Sequence, residues 1–212
     1  MKHLLIIAIA ILCCTTVHAQ WHIGPKLSIG TVTQSEQSFR ILPNSDHGLY
    51  DLDFVGGTTV HSIGLMAYRN MGPFFLQGEI LATTYGMEYR MDNYNKVSTS
   101  SPVYTDQHYV LEIPFVAGIL VKKNFKLGIG PVAEILVDKD SRFADLEYYQ
   151  NTSKNVELGF QALAGYQRGI IHVDLKYMNK FSSIADGFNF GDDDMKLNKS
   201  ANRISLSVGF AF

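Results

Sequence analysis

From Trp21 onward, apolar and polar side chains alternate with a period of two in one segment after another. That period places successive side chains on opposite faces of a β-strand, whereas a helix repeats about every 3.6 residues. The clearest example is the last segment, whose apolar members are Ile204, Leu206, Val208, Phe210 and Phe212. The pattern predicts eight strands, near 21–34, 57–69, 74–89, 107–121, 125–137, 155–167, 170–181 and 199–212.

The connections between these strands alternate between short and long. The short ones are predicted at 70–73, 122–124 and 168–169, and the long polar ones at 35–56, 90–106, 138–154 and 182–198. This separation is typical of up-and-down outer-membrane barrels, and a water-soluble sandwich has no reason to show it. Closure also removes unpaired strand edges, which is required where no water can bond the backbone. We therefore predict an all-β fold, an eight-stranded antiparallel up-and-down transmembrane β-barrel over residues 20–212.

Residues 1–19 have a different pattern and are predicted to be a secretory signal peptide. Lys2 gives a positive start, residues 4–14 form an unbroken apolar run, and Val17-His18-Ala19 supplies a cleavage site before Gln20. The run is too short to cross a bilayer, which takes about 20 residues. An uncleaved anchor and a lipidated cysteine are the less favoured alternatives. Both cysteines of the chain lie in this segment, so residues 20–212 have neither a disulfide nor a cysteine-bound metal.

One face of each predicted strand is apolar, whereas the other carries charges and amides. In a small membrane barrel the charged face must be the inner one, because a Lys or Arg that faces the middle of the bilayer costs about 2–4 kcal/mol. This face carries a lumen charge network, whose ten members are Lys26, Glu79, Glu112, Lys126, Glu134, Glu157, His172, Asp174, Lys176 and Arg203. Its near balance of acids and bases favours ion pairing, and eight strands leave an interior that side chains can fill. The sequence therefore predicts a closed polar lumen rather than a general diffusion pore.

Aromatic residues gather near both ends of the predicted strands, as in the interface belts of membrane proteins. Near the tight turns lie Trp21, Tyr68, Phe74, Phe75, Phe125, Tyr166 and Phe210. Near the long segments lie Tyr85, Tyr89, Tyr109, Tyr177 and Phe181. Phe212, which ends an alternating strand, resembles the assembly signal of bacterial outer-membrane barrels.

Composition narrows the classes of partner and cofactor. The chain is 46% hydrophobic and only 18% charged, which excludes a disordered chain. Its formal charge of −2 and its pI near 6.4 give no reason to expect binding of nucleic acid. The long segments hold fourteen acidic and seven basic residues. We expect outer-membrane lipid and lipopolysaccharide as partners, with 35–56, 138–154 and 182–198 as the surface for a protein partner. Asp192-Asp193-Asp194 suits calcium by ligand type but lacks the spacing of an EF-hand loop, so no metal and no cofactor are predicted.

Catalysis by a small membrane barrel is the competing class of function. His172 and Asp174 lie two residues apart on one predicted strand and share a face, near Glu157 on the preceding strand. Such a pair could serve as a base and its orienting carboxylate in an enzyme that modifies outer-membrane lipid. No nucleophile can be placed beside the pair, and His61 and Ser62 point to opposite faces. We therefore predict no catalytic residues and no enzymatic activity.

Two neighbouring segments resemble a known family. Leu111-Glu112-Ile113-Pro114-Phe115, followed after a Lys-Lys-Asn turn by Gly128-Ile129-Gly130-Pro131, is similar to the PorT-like outer-membrane β-barrels. The resemblance covers nearly all of residues 20–212 and departs at Val132, where the family often has an aromatic residue. It implies an outer-membrane location in a Gram-negative, Bacteroidota-like bacterium and no shared catalytic residues. We expect a structural or surface-interaction role, with an accessory part in protein secretion as the alternative that the family allows.

Overall fold

The computed structural model describes residues 21–33, 38–41, 50–93, 103–141, 156–181, 184–190, 193–199 and 202–212, which form twelve β-strands. The strands are β1 (Trp21–Thr33), β2 (Ser38–Ile41), β3 (Tyr50–Gly57), β4 (Thr59–Met71), β5 (Phe74–Asn93), β6 (Val103–Val121), β7 (Phe125–Ser141), β8 (Val156–Arg168), β9 (Ile171–Lys180), β10 (Ile184–Phe190), β11 (Asp193–Lys199) and β12 (Asn202–Phe210). The predicted signal peptide, residues 1–19, lies outside the described residues. The described residues contain no helix that is long and apolar enough to cross a membrane.

Eight of the strands close into a ring. Their order is β1-β4-β5-β6-β7-β8-β9-β12, every neighbouring pair is antiparallel, and β12 returns to β1. The seam pairs Leu27 with Val208, and reciprocal backbone hydrogen bonds of 3.2 Å join Ile23 to Phe212. The predicted eight-stranded antiparallel up-and-down barrel is therefore confirmed, with strand ends that differ from the predicted ones by a few residues.

The register around the ring fixes the tilt of the strands. Successive pairs lead from Tyr109 of β6 through all eight strands and return to β6 at Ile119, an offset of ten residues. With a rise of about 3.3 Å per residue and about 4.7 Å between strands, this offset tilts the strands by roughly 40° and gives a backbone cylinder about 8 Å in radius. Side chains can fill an interior of that size.

The tight turns lie at one end of the barrel, which we call the turn end, and the opposite end is the loop end. Two turns of two residues begin with Gly72 and Gly169. These glycines have positive φ angles of 72° and 60°, a conformation that glycine adopts without steric cost. In the third turn, Lys122 and Lys123 have positive φ angles of 50° and 65° although both carry a Cβ.

The loop end contains strands in two segments that are predicted to be loops, 35–56 and 182–198, and for these two segments the prediction is wrong. Within 35–56, β2 pairs with β3, and β3 pairs with the part of β5 that extends beyond β4. Within 182–198, β10 pairs with β11 in a separate two-stranded sheet. The extension of β5 leaves backbone groups that need partners, and the short alternation at 50–54 supplies one of the strands that satisfy them.

The two faces of the ring have opposite chemistry. Outer-wall side chains are apolar and exposed, as with Ile63 and Leu65 of β4, at 63% and 56%. On β6 the apolar outer positions run from Val121 to Tyr109, and the next outward residue is Gln107. Twelve residue steps along a strand tilted by roughly 40° span about 30 Å, which is the thickness of a hydrocarbon layer. We call this zone of the outer wall the apolar band.

The predicted aromatic belts are wrong for four residues. Tyr68, Phe75, Tyr85 and Tyr89 point into the barrel and are at most 3% exposed. Each has the parity of an inward residue on its strand, so its side chain cannot also reach the outer surface. The other predicted belt residues are exposed on the outer wall: Trp21, Phe74, Tyr109, Phe125, Tyr166, Tyr177, Phe181 and Phe210.

Candidate functional site

The structure places all ten residues of the lumen charge network inside the barrel, and none is more than 5% exposed. Each occupies an inward position in the alternation of its strand. Side chains from distant parts of the sequence therefore meet near the barrel axis, as Lys26 of β1 and Asp174 of β9 do. They form two clusters, a lower cluster toward the turn end and an upper cluster toward the loop end.

The lower cluster is built around two carboxylates. The Lys26 Nζ lies 2.5 Å from Glu79 Oε1 and 2.7 Å from Asp174 Oδ2. The Lys126 Nζ lies 2.6 Å from Asp174 Oδ1, and the Lys176 Nζ lies 3.1 Å from Glu79 Oε2. Each carboxylate is thus held by two lysines, which is the kind of compensation that buried charges need. The full cluster is Lys26, Gln77, Glu79, Lys126, His172, Asp174 and Lys176.

His172 lies in this cluster against Lys126, and its contacts differ from those of a catalytic base. The Lys126 Nζ lies 3.2 Å from His172 Nδ1. An ammonium group only donates hydrogen bonds, so Nδ1 accepts and the neutral ring carries its proton on Nε2. Asp174, the predicted orienting carboxylate, is held by Lys26 and Lys126 instead. The geometry is that of a packed polar cluster.

Apolar and aromatic side chains close the barrel between the lower cluster and the turn end. The rings of Tyr68 and Phe75 stack with centroids 5.9 Å apart. The Lys126 Nζ lies 5.5 Å from the Tyr68 ring and 5.8 Å from the Phe75 ring, so cation–π contacts connect this floor to the ionic layer. We call this group the aromatic floor, and its buried members are Met66, Tyr68, Phe75, Val116, Leu163 and Ala211.

The upper cluster is built around one lysine and one arginine. The Lys180 Nζ lies 2.6 Å from both Glu134 Oε1 and Glu157 Oε2. Arg203 pairs with Glu112 at 2.7 Å and also with Glu134. Tyr85 donates its hydroxyl hydrogen to Glu134 Oε1 at 2.9 Å, and the Arg203 guanidinium lies 4.5 Å above its ring. The full cluster is Tyr85, Glu112, Glu134, Glu157, Lys180 and Arg203.

Two members of the upper cluster, Lys180 and Tyr85, are missing from the predicted network. Lys180 has the same parity as Lys176 on β9, so extending the alternation by two further inward positions finds it. Tyr85 has the same parity as Glu79 on β5, and only its aromatic character placed it in the predicted belt. Parity along the strand is therefore a better guide to the inner wall than residue type.

The charges of the two clusters are complementary. The lower cluster has three lysines and two carboxylates, and the upper cluster has Lys180 and Arg203 with three glutamates. With His172 neutral, the formal charges are therefore +1 and −1. The lumen charges compensate one another within the barrel, which lowers the cost of burying them.

A cavity of about 10 Å³ lies at the boundary between the two clusters. Its lining includes Ser62, Gln161, Lys176 and Arg203. The Gln161 Nε2 is buried and has no hydrogen-bond partner among the described side chains and backbone. A space of that size is at the lower limit for holding one water.

Inward glycines make room for the long ionic side chains. A Cβ at Gly165 would lie 2.2 Å from Asp174 Oδ1 and 3.1 Å from Lys126 Cε. A Cβ at Gly209 would lie 2.3 Å from Met66 Sδ of the aromatic floor and 3.5 Å from Lys26 Cγ of the lower cluster. These small residues let the lower cluster pack directly against the backbone of β8 and β12.

A third group of charges lies on the inner wall beyond the apolar band. The Asp106 Oδ2 lies 3.0 Å from Lys139 Nζ and 3.4 Å from His108 Nε2. Burial alone would raise the pKa of Asp106, but the neighbouring His108 ring and the charge of Lys139 lower it below the ordinary value. His108 stacks on Tyr85 with ring centroids 5.1 Å apart, so this group adjoins the upper cluster.

The other predicted candidates are dispersed. His61 is exposed on the outer wall and Ser62 is buried on the inner wall, so the two do not meet. Phe212 is 68% exposed, and its role as an assembly signal stays a prediction. The side chains of the acidic cluster at 192–194 lie outside the described residues. Among the side chains that are described, no group of three or more His, Cys, Asp or Glu is arranged to hold a metal ion.

No family model and no curated protein matches the sequence. One similar solved structure is described as the NanC porin structure in a rhombohedral crystal form. The two chains are 12% identical, the match covers 89% of this chain and 100% of that chain, and the TM-score is 0.32. Residues are not carried from one chain to the other at that level of similarity, and membership of the PorT-like family stays a prediction.

Proposed function

We propose that this chain is an integral β-barrel of a bacterial outer membrane, with a closed polar lumen and a structural or surface-interaction role. The proposal rests on the chemistry of the two walls, which is the reverse of that in a water-soluble protein. Ionic residues fill the inside of the barrel, while a band of apolar side chains about 30 Å high is exposed outside. An exposed apolar surface of that extent marks contact with a membrane or a partner. Closure of the ring also pairs the strand edges, as hydrocarbon requires.

A closed lumen follows from the contents of the barrel. Inside a backbone cylinder about 8 Å in radius lie two ion-paired clusters and, toward the turn end, the aromatic floor. An ion that passed through would have to displace Lys26 from two carboxylates and Arg203 from two more. Such displacement exposes buried unpaired charges, which is costly.

The proposal is tested by refolding the purified protein into phosphatidylcholine vesicles. We expect the unboiled protein to migrate differently from the boiled protein on a gel, and to stay with the vesicles after a carbonate wash. In planar bilayers with concentrated KCl, we expect no stable conductance steps. Failure to enter vesicles would overturn the membrane location, whereas regular nanosiemens steps would overturn the closed lumen alone.

The surface-interaction role rests on the loop end. The hairpin β2–β3 extends the wall beyond β4, and β10–β11 forms a second hairpin. Photo-crosslinking in cells can test this surface. One variant carries a photoreactive amino acid in place of Gly187 of β10, and the control variant carries it in place of Val208 on the outer wall. We expect a discrete protein adduct from Gly187 and only lipid adducts from Val208. Lipid adducts alone from Gly187 would contradict the role.

An accessory part in protein secretion is the alternative that the resemblance to PorT-like barrels supports. It predicts that the Gly187 adduct contains a component of a secretion machinery. Cells that lack this chain and still secrete their proteins normally would overturn the alternative and leave the structural role in place.

A further inference from the structure

Four basic side chains lie at the turn end, and we call them the basic collar: Arg69, Lys122, Lys123 and Arg168. Lys122 and Lys123 form the turn between β6 and β7, Arg168 ends β8, and Arg69 lies near the end of β4. Arg69 is half-buried, and the other three are exposed. Because β4 and β8 lie on opposite sides of the ring, the collar spans about half of its circumference.

No acidic side chain is exposed among the described residues of this end. The nearest acids, Glu79 and Asp174, face the lumen and form ion pairs with three lysines of the lower cluster. The collar is therefore a basic surface with no exposed carboxylate among the described residues of this end. In the sequence, by contrast, the long segments 35–56, 90–106, 138–154 and 182–198 carry twice as many acids as bases.

The collar lies next to exposed aromatic rings. The Arg69 guanidinium lies 5.6 Å from the Trp21 ring centroid. Phe125 and Tyr166 pack edge to face with centroids 5.2 Å apart. Phe125 follows Lys123 by two residues, and Tyr166 precedes Arg168 by two residues. Aromatic rings of this kind settle at the level of lipid headgroups, and neighbouring cations then reach the phosphates.

The β6–β7 turn holds its two lysines in a backbone conformation that is unfavourable for residues with a Cβ. Two consecutive residues with positive φ angles are usually Asn and Gly, because a Cβ makes this conformation costly. Lys122 and Lys123 adopt it with φ angles of 50° and 65°. A turn that accepts this cost and presents two exposed cations points to a role outside the fold.

We propose that the basic collar binds the phosphate groups of anionic phospholipids in the membrane leaflet at the turn end. The inference rests on the proposed membrane location. Lipid is favoured over a soluble anionic partner because the aromatic rings place the four cations at the bilayer surface rather than beyond it. Attraction of one such cation to an anionic surface corresponds to a preference of roughly five-fold.

The test measures lipid selectivity in the full chain, refolded into phosphatidylcholine vesicles that contain a minority of phosphatidylglycerol. Spin-labelled phosphatidylglycerol and phosphatidylcholine report how strongly each lipid associates with the barrel. For the wild type we expect phosphatidylglycerol to associate roughly five-fold more strongly than phosphatidylcholine, and we expect this ratio to fall with added salt. In the collar variant, R69Q/K122Q/K123Q/R168Q, the ratio should fall toward one. The charge-matched control, R40Q/K96Q/R142Q/K154Q, removes four bases from the long segments and should keep the preference.

Each outcome decides a different point. An unchanged preference in the collar variant, or an equal loss in the control, would overturn the proposal. Binding of soluble polyglutamate is measured in the same variants. If the collar variant keeps its lipid preference but no longer binds polyglutamate, the collar binds a soluble anionic partner and the proposal is overturned. Protein that never enters the vesicles would instead reject the membrane location.

A second variant guards against a folding defect in the first. K122N/K123G supplies the residues that the turn conformation favours and removes half of the collar. It should fold at least as stably as the wild type and show an intermediate preference for phosphatidylglycerol. A full wild-type preference in this folded variant would also contradict the proposal.

Discussion

The inner and outer walls of this barrel are made by the same strands, yet they are organised differently. On β1, Lys26 is fully buried in two ion pairs, whereas its neighbour Leu27 is 57% exposed. The inner wall depends on specific partners from distant strands, and the outer wall depends only on being apolar. A soluble ligand-binding barrel has the reverse arrangement, with its apolar face inside. The comparison teaches that burial alone does not identify a hydrophobic core.

Because inner-wall residues have fixed partners, removing one should cost far more than a similar change outside. Lys26→Met leaves Glu79 and Asp174 each with one lysine fewer, and we expect a loss of about 3–5 kcal/mol. Leu27→Met, one residue away on the outer wall, should be nearly neutral. Urea unfolding of the vesicle-bound protein measures both. Equal midpoints would remove the distinction between the walls.

The outer wall should reject charge. Leu206→Arg places a cation in the apolar band and should block insertion, at a cost of about 2–4 kcal/mol. Ser207→Ala changes the adjacent inward residue, whose hydroxyl donates to the Asp174 carbonyl at 3.3 Å, and should be tolerated. Heat-dependent gel mobility reports insertion. Similar behaviour of the two variants would reject the assignment of faces.

The space beside the lower cluster can be tested with a single methyl group. Gly165→Ala places a Cβ against Asp174 and Lys126, and we expect overpacking to cost about 1–3 kcal/mol. Gly56→Ala is the control, because a Cβ at that position meets nothing within 4 Å. If the urea midpoints of the two variants fall equally, the lower cluster has space for an additional methyl group and the expected overpacking is contradicted.

A smaller effect of opposite sign is expected at the β6–β7 turn, which belongs to neither wall. Lys123→Gly removes the Cβ from a residue with a φ angle of 65°, and should stabilise the barrel by roughly 1 kcal/mol. Arg168→Gly, in a strand end without a positive φ angle, should give no gain. A loss of stability in Lys123→Gly would mean that the turn does not strain the lysine.

The smallest effect concerns the inner wall beyond the apolar band. The pKa of Asp106 is lowered in the folded state, so its ionisation contributes stability that is fully present above the ordinary pKa of about 4. This contribution is lost as the pH falls below that value and through the lower pKa of the folded state. Urea midpoints measured between about pH 6 and pH 3 should fall more steeply for the wild type than for Asp106→Asn. Parallel curves would contradict this role.

Much of the fold could be predicted because a barrel wall has a simple period. Each residue of β6 or β9 has one of two environments, and alternation assigns it without knowledge of the partner strand. The same rule, applied strictly, also places Lys180 and Tyr85 inside. The errors at Tyr68, Phe75, Tyr85 and Tyr89 arise because residue type was given more weight than parity.

The pairing inside the lumen could not be predicted in the same way. Lys26 and Asp174 are 148 residues apart, and they meet because the offset of β12 against β1 and β9 brings Lys26 level with His172, two residues from Asp174. A period of two contains no information about that offset. The strands β2, β3, β10 and β11 were missed because their alternations are short and lie among polar residues.

The seam between β1 and β12 has a consequence for biogenesis. Leu27 cannot meet Val208 until nearly all of the described chain has been synthesised, so the ring cannot close progressively as the polypeptide emerges. Until then, the edge of β1 and that of the most recently made strand are unpaired, and another copy could add its own strands to them. We therefore expect the nascent chain to need an escort that keeps it extended, and a version truncated before β12 to precipitate rather than mature.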